Sequence, residues 1–145
     1  MLIGCPPGGR GDHTGGDDAV REGARVGLLG MPRRIPAVRQ VYEMPPIYYD
    51  PSDADGHPVL VVSVDPATRK AMVVTRTTKI YARGPDAIVH PAQPQLGLRE
   101  VGWWRMAFPK PVVFAAFDAP DVQHCGELDE ATWAKVDRQI KGAAQ

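Results

Sequence analysis

Apolar and polar positions alternate most clearly over residues 56–79, which read GHPVLVVSVDPATRKAMVVTRTTK. Two Val-rich runs, 58–64 and 71–77, flank the polar segment Asp65-Pro66-Ala67-Thr68-Arg69-Lys70. Runs of this length and β-branched content around an Asp-Pro signal predict the two strands of a hairpin. The second run leaves its apolar phase at Thr75-Arg76-Thr77-Thr78. Four such side chains in succession are not expected all to enter a core. Alternation sends Thr75 and Thr77 to one face and Arg76 and Thr78 to the other. A polar, cationic strand end beside His57 is where chemistry is expected.

Shorter strands are predicted at 38–42, stopped by Pro45-Pro46, and at 87–89, closed by His90-Pro91. Two more, 101–106 and 111–117, are joined by a turn at Pro109-Lys110, so that Pro111 begins an edge strand. Neighbouring Trp103 and Trp104 must face opposite sides, one into the core and the other to solvent or an interface. Residues 47–56 and 91–100 read as loops. The chain then ends in a helix. Asp129 is its N-cap, Leu128 and Trp133 form a hydrophobic staple, and Trp133, Val136 and Ile140 make one apolar stripe. Asp137 and Lys141 are spaced as an i, i+4 pair, and Gly142 is the expected stop. Short strands followed by one helix predict a mainly β fold, a small SH3-like barrel with a C-terminal α-helix.

The 145 residues amount to one domain. Residues 1–34 hold nine of the 15 glycines, too little apolar surface to offset ordering, and are expected to be a flexible arm. Residues 35–145 then form the barrel domain. Within the arm a weak helical pattern follows Asp17, through Val20, Ala24 and Leu28. Gly8-Gly9-Arg10-Gly11 is no phosphate loop, because no Gly-Lys-Ser/Thr follows it.

Net charge is zero, so bulk charge names no partner. Its distribution is uneven. Arg69, Lys70, Arg76, Lys79 and Arg83 cluster mid-chain, Arg99, Arg105 and Lys110 follow, and residues 118–137 are acidic. The cluster suits a polyanion, yet a solvated sheet face with scattered arginines is the commoner meaning of such a pattern. Cys5 and Cys125 make neither a disulfide framework nor a zinc spacing, and Cys125 reads as a small buried apolar residue in a reducing compartment. No signal peptide is recognisable and no apolar run reaches membrane-spanning length.

The run Gly56-His57-Pro58-Val59-Leu60-Val61-Val62-Ser63 resembles the G-x-R-P-(apolar)4-S signature of the MazF/PemK family of toxin endoribonucleases. Residues 71–78 are similar to that family's next strand, which ends in Thr-Thr or Thr-Ser. Cys125-Gly126-Glu127-Leu128-Asp129 and the amphipathic segment after it resemble the family's glycine-leucine step into a last helix. The resemblance spans residues 38–141, and His57 stands where the family carries arginine. It implies a PemK/MazF-like barrel and a metal-independent endoribonuclease that cleaves single-stranded RNA. It further implies a cytoplasmic homodimer without cofactor or membrane, a growth inhibitor of a toxin–antitoxin or phage system, with an antitoxin protein as partner. Thr77 falls at the family's catalytic threonine.

The residues themselves suggest roles. Metal-free RNA cleavage needs a base for the 2′-hydroxyl, an acid for the leaving oxygen and positive charge near the phosphorane. Histidine is the side chain type suited to proton transfer near neutral pH, which makes His57 the candidate for that role. Arg76 or Arg69 can hold the phosphate and Thr77 can donate a hydrogen bond, so His57, Thr77 and Arg76 are the candidate catalytic residues. Arg69, Lys70, Thr78 and Lys79 are candidate RNA contacts. Tyr48 and Tyr49 either stack on bases or cover one end of the barrel. The alternative function is a catalytically inactive barrel that binds RNA or protein, or a structural barrel in a phage assembly.

Overall fold

The computed structural model describes residues 34–53 and 55–143. Among the described residues, seven strands and one α-helix follow in order: β1 Gln40–Met44, β2 His57–Asp65, β3 Lys70–Thr77, β4 Ile88–His90, β5 Gly102–Trp104, β6 Lys110–Val113, β7 Gln123–Glu127 and α1 Glu130–Ala143. All strand pairs are antiparallel, in the order β4-β5-β3-β2-β1-β7, with β6 also on β3. The mainly β architecture with a single C-terminal helix is the one expected.

The β2–β3 hairpin is the centre of the sheet. Asp65 fixes its turn, accepting hydrogen bonds from the Ala67 amide and the Thr68 hydroxyl, both at 3.0 Å, while Arg69 takes a left-handed φ of 55°. Beyond the turn, β3 shares one edge between two partners. Its first half pairs with β6 and its last two residues with β5.

Alternation along these strands feeds two separate cores. Tyr42, Val59, Val61, Val73 and Phe117 pack on one face, and Val41, Leu60, Val74, Trp104 and Val136 on the other, under α1. Because both faces are covered, Thr75, Arg76 and Thr77 are all buried, while Thr78 is exposed, so the four side chains do not all enter a core. Trp104 is fully buried and Trp103 half-buried, as alternation requires.

Several boundaries differ from the sequence pattern, among them the first strand, expected over 38–42 and found at Gln40–Met44, and the strand expected over 101–106, found at Gly102–Trp104. The strand expected over 111–117 ends at Val113, and Phe114–Asp118 is a 3-10 turn that carries Phe114 and Phe117 into the first core. Strand β7 had no alternating signal, since Gln-His-Cys-Gly-Glu is at most half-buried, and pairing with β1 makes it a strand. The helix continues through Gly142 to Ala143. Its start is as expected, with Asp129 accepting from the Thr132 amide and hydroxyl at 2.9 Å. Cys125 is half-buried against the second core and is not a free thiol.

Residues 1–33 of the arm expected over 1–34, with the helical pattern after Asp17, lie outside the described residues. Arg34, its last residue, donates its amide to Asp118 at 3.0 Å and Nη1 to His124 Nδ1 at 3.2 Å.

Candidate functional site

The end of β3, the start of β2 and the loops around them enclose a cleft of about 520 Å³. His57, Arg76, Thr77, Thr78 and Lys79 line it, together with Asp53, Tyr81, Arg99, Glu100 and Arg105. Five of the nine residues singled out from the sequence thus share one cavity. Arg69 and Lys70 do not. They sit exposed at the other end of β3, roughly 23 Å away at the rise of an extended strand.

His57 opens β2, with its side chain partly exposed. Its Nε2 lies 3.3 Å from Asp53 Oδ2, so the carboxylate orients the ring. The His57 amide donates to the Tyr49 hydroxyl at 3.1 Å. Tyr49 is buried in the first core, and burial pushes its phenol up to about 12. Its ring is therefore support beneath His57 rather than an open stacking face. Tyr48 is half-buried and donates its hydroxyl to Asp121 at 2.9 Å, away from the cleft lining.

Arg76 is only 4 % exposed. Its Nε donates to His90 Nδ1 at 3.0 Å, and its Nη2 to the carbonyls of Glu100 at 2.7 Å and His90 at 3.2 Å. Gly102 makes room for it, since a Cβ there would lie 2.6 Å from Arg76 Cζ. Burial draws the guanidinium down to about 10, still charged at neutral pH. These bonds hold β3 to the 90–100 loop, and the charge is presented to the cleft from below. His90 passes the network on. Its Nε2 meets Gln93 Oε1 at 2.9 Å and lies 3.1 Å from Asp129 Oδ1 at the start of α1. Burial, with the Arg76 charge beside it, holds His90 below the ordinary histidine range despite Gln93 and Asp129.

Thr77 is 8 % exposed and its Oγ1 accepts from the Lys79 amide at 3.1 Å, while Thr78 and Lys79 are exposed on the rim. Arg105 completes the cationic lining. Its guanidinium lies 4.6 Å above the Phe108 ring, and its buried Nε has no protein partner. A donor buried without an acceptor costs about 1–3 kcal/mol. Behind the start of β2, Glu43 on β1 is in register with Pro58. Its Oε1 is buried without a partner, and burial raises the carboxyl to about 7.

Asp53, Tyr81, Arg105 and His90 were not singled out for the site from the sequence. Arg105 and Arg99 were visible only as part of the basic distribution. Asp53 stands four residues before His57, a spacing that has no special meaning in a loop. Nothing in the sequence paired His90 with Arg76.

Fold and site together define a small antiparallel β domain with a cationic cleft, in which a carboxylate-oriented histidine faces basic side chains. No protein-family model matches the chain, and no curated protein matches it. Among solved structures, it is similar to a chain of the MazE-MazF crystal structure from Deinococcus radiodurans, with 14 % identity and a TM-score of 0.49 over 77 % of this chain and 97 % of that one. That likeness assigns no residue a role. No helix among the described residues is long and apolar enough to cross a membrane.

Proposed function

We propose that the cleft cleaves single-stranded RNA without a metal, as the MazF/PemK resemblance implies. The observation that carries this reading is the convergence of His57, oriented by Asp53, with Thr77, Lys79, Arg99 and Arg105 around one cavity. The ribose 2′-hydroxyl attacks the adjacent phosphorus and His57 takes its proton. Asp53 at Nε2 favours the tautomer that leaves Nδ1 as the acceptor. Lys79 and Arg105 stabilise the charge that develops on the phosphorane, with the Arg76 charge behind them. The bond to the 5′-oxygen breaks, water at the open mouth protonates that oxygen, and a 2′,3′-cyclic phosphate remains. Such a protein arrests growth in its cell unless an antitoxin covers the cleft, and it acts as a homodimer in the cytoplasm.

The test is incubation of the purified full chain with long single-stranded RNA in excess chelator. Cleavage is expected, and His57→Ala should lower it by ~10²–10⁴-fold with the fold intact. No cleavage by the unaltered protein, with no growth arrest on expression, would overturn the reading.

One observation favours a second reading. Nε and Nη2 of Arg76, the buried cation of the cleft lining, are bonded to protein acceptors, and the family's arginine is here His57. An RNA-binding barrel without catalysis would need no more than the rim cations. Measurable RNA binding without cleavage would select it.

A further inference from the structure

Tyr81 is 81 % exposed, yet it lines the cleft. The turn that carries it, Ile80–Ala82, is anchored at both sides. The Ala82 amide donates to the Lys79 carbonyl at 2.9 Å, and the Lys79 amide to Thr77 Oγ1 at 3.1 Å. Two residues on, Gly84 has a φ of 74° and packs so closely on the Phe108 ring that a Cβ there would overlap it. Phe108 is the ring beneath the Arg105 guanidinium. An open aromatic face and a cation with an unpartnered buried Nε are thus mounted on one framework. Lys79 and Arg99 line the same cleft.

We propose that Tyr81 and Arg105 form a one-nucleotide subsite for single-stranded nucleic acid, with an unpaired base stacked on the Tyr81 ring and its phosphate accepting from the Arg105 guanidinium. This rests on the proposed function of the cleft and adds the contacts that grip its substrate. The chemistry fits an unpaired strand. Every base has a stackable face, and a duplex would bury that face against its neighbours. A tyrosine on an anchored turn loses only two side-chain torsions on binding, which keeps the ordering cost low. The partner is an anion rather than an apolar peptide because the aromatic face lies among cations. Stacking there contributes without reading sequence, so Tyr81 sets affinity for unpaired bases in general.

The experiment is binding of the full chain to a fluorescent single-stranded RNA oligonucleotide, across a salt series, alongside the same strand with one abasic position scanned along it. Tyr81→Ala should weaken binding ~5–150-fold at an unchanged salt slope, the range for a lost base stack. Tyr81→Phe should bind like the unaltered protein. One abasic position should weaken the unaltered protein and leave Tyr81→Ala unaffected. Arg105→Ala should reduce the salt slope by ~0.7, about one phosphate on a single strand. If Tyr81→Ala binds RNA as tightly as the unaltered protein, or changes only the oligomeric state, the subsite is overturned. Failure of the unaltered protein to bind RNA at all would overturn the cleft's proposed function as well. Binding with the expected losses but without cleavage would leave the subsite standing and remove only the catalytic reading.

Discussion

Arg76 Nε donates to His90 Nδ1 at 3.0 Å, with both side chains buried. A guanidinium can only donate, so this bond requires a lone pair on Nδ1 and hence a neutral His90 with its proton on Nε2. That proton faces Gln93 and Asp129. One tautomer therefore satisfies the end of β3, the 90–100 loop and the start of α1 together.

The first prediction follows from that tautomer. His90→Phe keeps a ring over Trp104 but removes the acceptor from a buried cation, and should cost ~2–3 kcal/mol. The check is a lower denaturant midpoint at unchanged slope. The unaltered protein should also lose stability in acid. His90 is held below its ordinary value, so the unfolded chain binds more protons in the interval beneath about 6.5. Stability therefore falls as pH drops through that window, and the His90→Phe protein should lack this component.

Glu43 predicts the opposite slope. Its folded carboxyl is raised from 4.5 to about 7 by burial, so between those values the folded state binds more protons. Stability should fall as pH rises from 4.5 to 7 on this account. Glu43→Gln should stabilise the protein by about 1–2 kcal/mol at pH 8, after discounting for partial solvent exposure, and should change little at pH 4. Thermal melts at the two pH values decide it, and an equal effect at both would refute the assignment to Glu43.

These two groups also mark where the sequence stopped being readable. The hairpin was legible because Val59, Val61 and Val73 repeat on one face with Leu60 and Val74 on the other. The helix was legible because Asp129, Leu128 and Trp133 carry a local start signal. His57 and Thr77 were legible as polar breaks at strand ends. By contrast, Arg105 reaches the cleft from just beyond β5, Tyr81 from the turn after β3, and Asp53 from the loop before β2. Their meeting depends on how β3 divides its edge between β5 and β6, which no local pattern states. Tyr49 misled for a related reason. Its apolar body is used by the core and only its hydroxyl serves the site.

A third prediction concerns self-association. Thr77, Trp103 and Val89 stand in register across β3, β5 and β4, with Trp103 half-buried, Val89 exposed and β4 at the end of the strand order. An edge strand with exposed apolar side chains invites pairing with a second copy. Sedimentation at micromolar concentration should give about twice the 15.8 kDa chain mass. Val89→Lys should shift it towards one chain. A single-chain mass for the unaltered protein would count against the homodimer.

The last prediction separates orientation from charge at His57. Asp53 Oδ2 lies 3.3 Å from Nε2, close enough to hold the ring and to stabilise the imidazolium formed when the base takes its proton. Asp53→Asn keeps the size but removes the charge, and an asparagine amide facing Nε2 would turn the histidine's proton towards the other nitrogen. Cleavage should fall ~10–10²-fold, less than for His57→Ala, while RNA binding holds or tightens because a negative charge has left the cleft. Asp53→Glu should recover part of the rate. His57→Arg supplies the family's residue and decides what the position does: activity retained or raised means that it neutralises phosphate, and activity lost means that proton transfer at the imidazole is required. If Asp53→Asn cleaved RNA as fast as the unaltered protein, the carboxylate would be no part of the catalytic arrangement, and the pair would be a loop anchor alone.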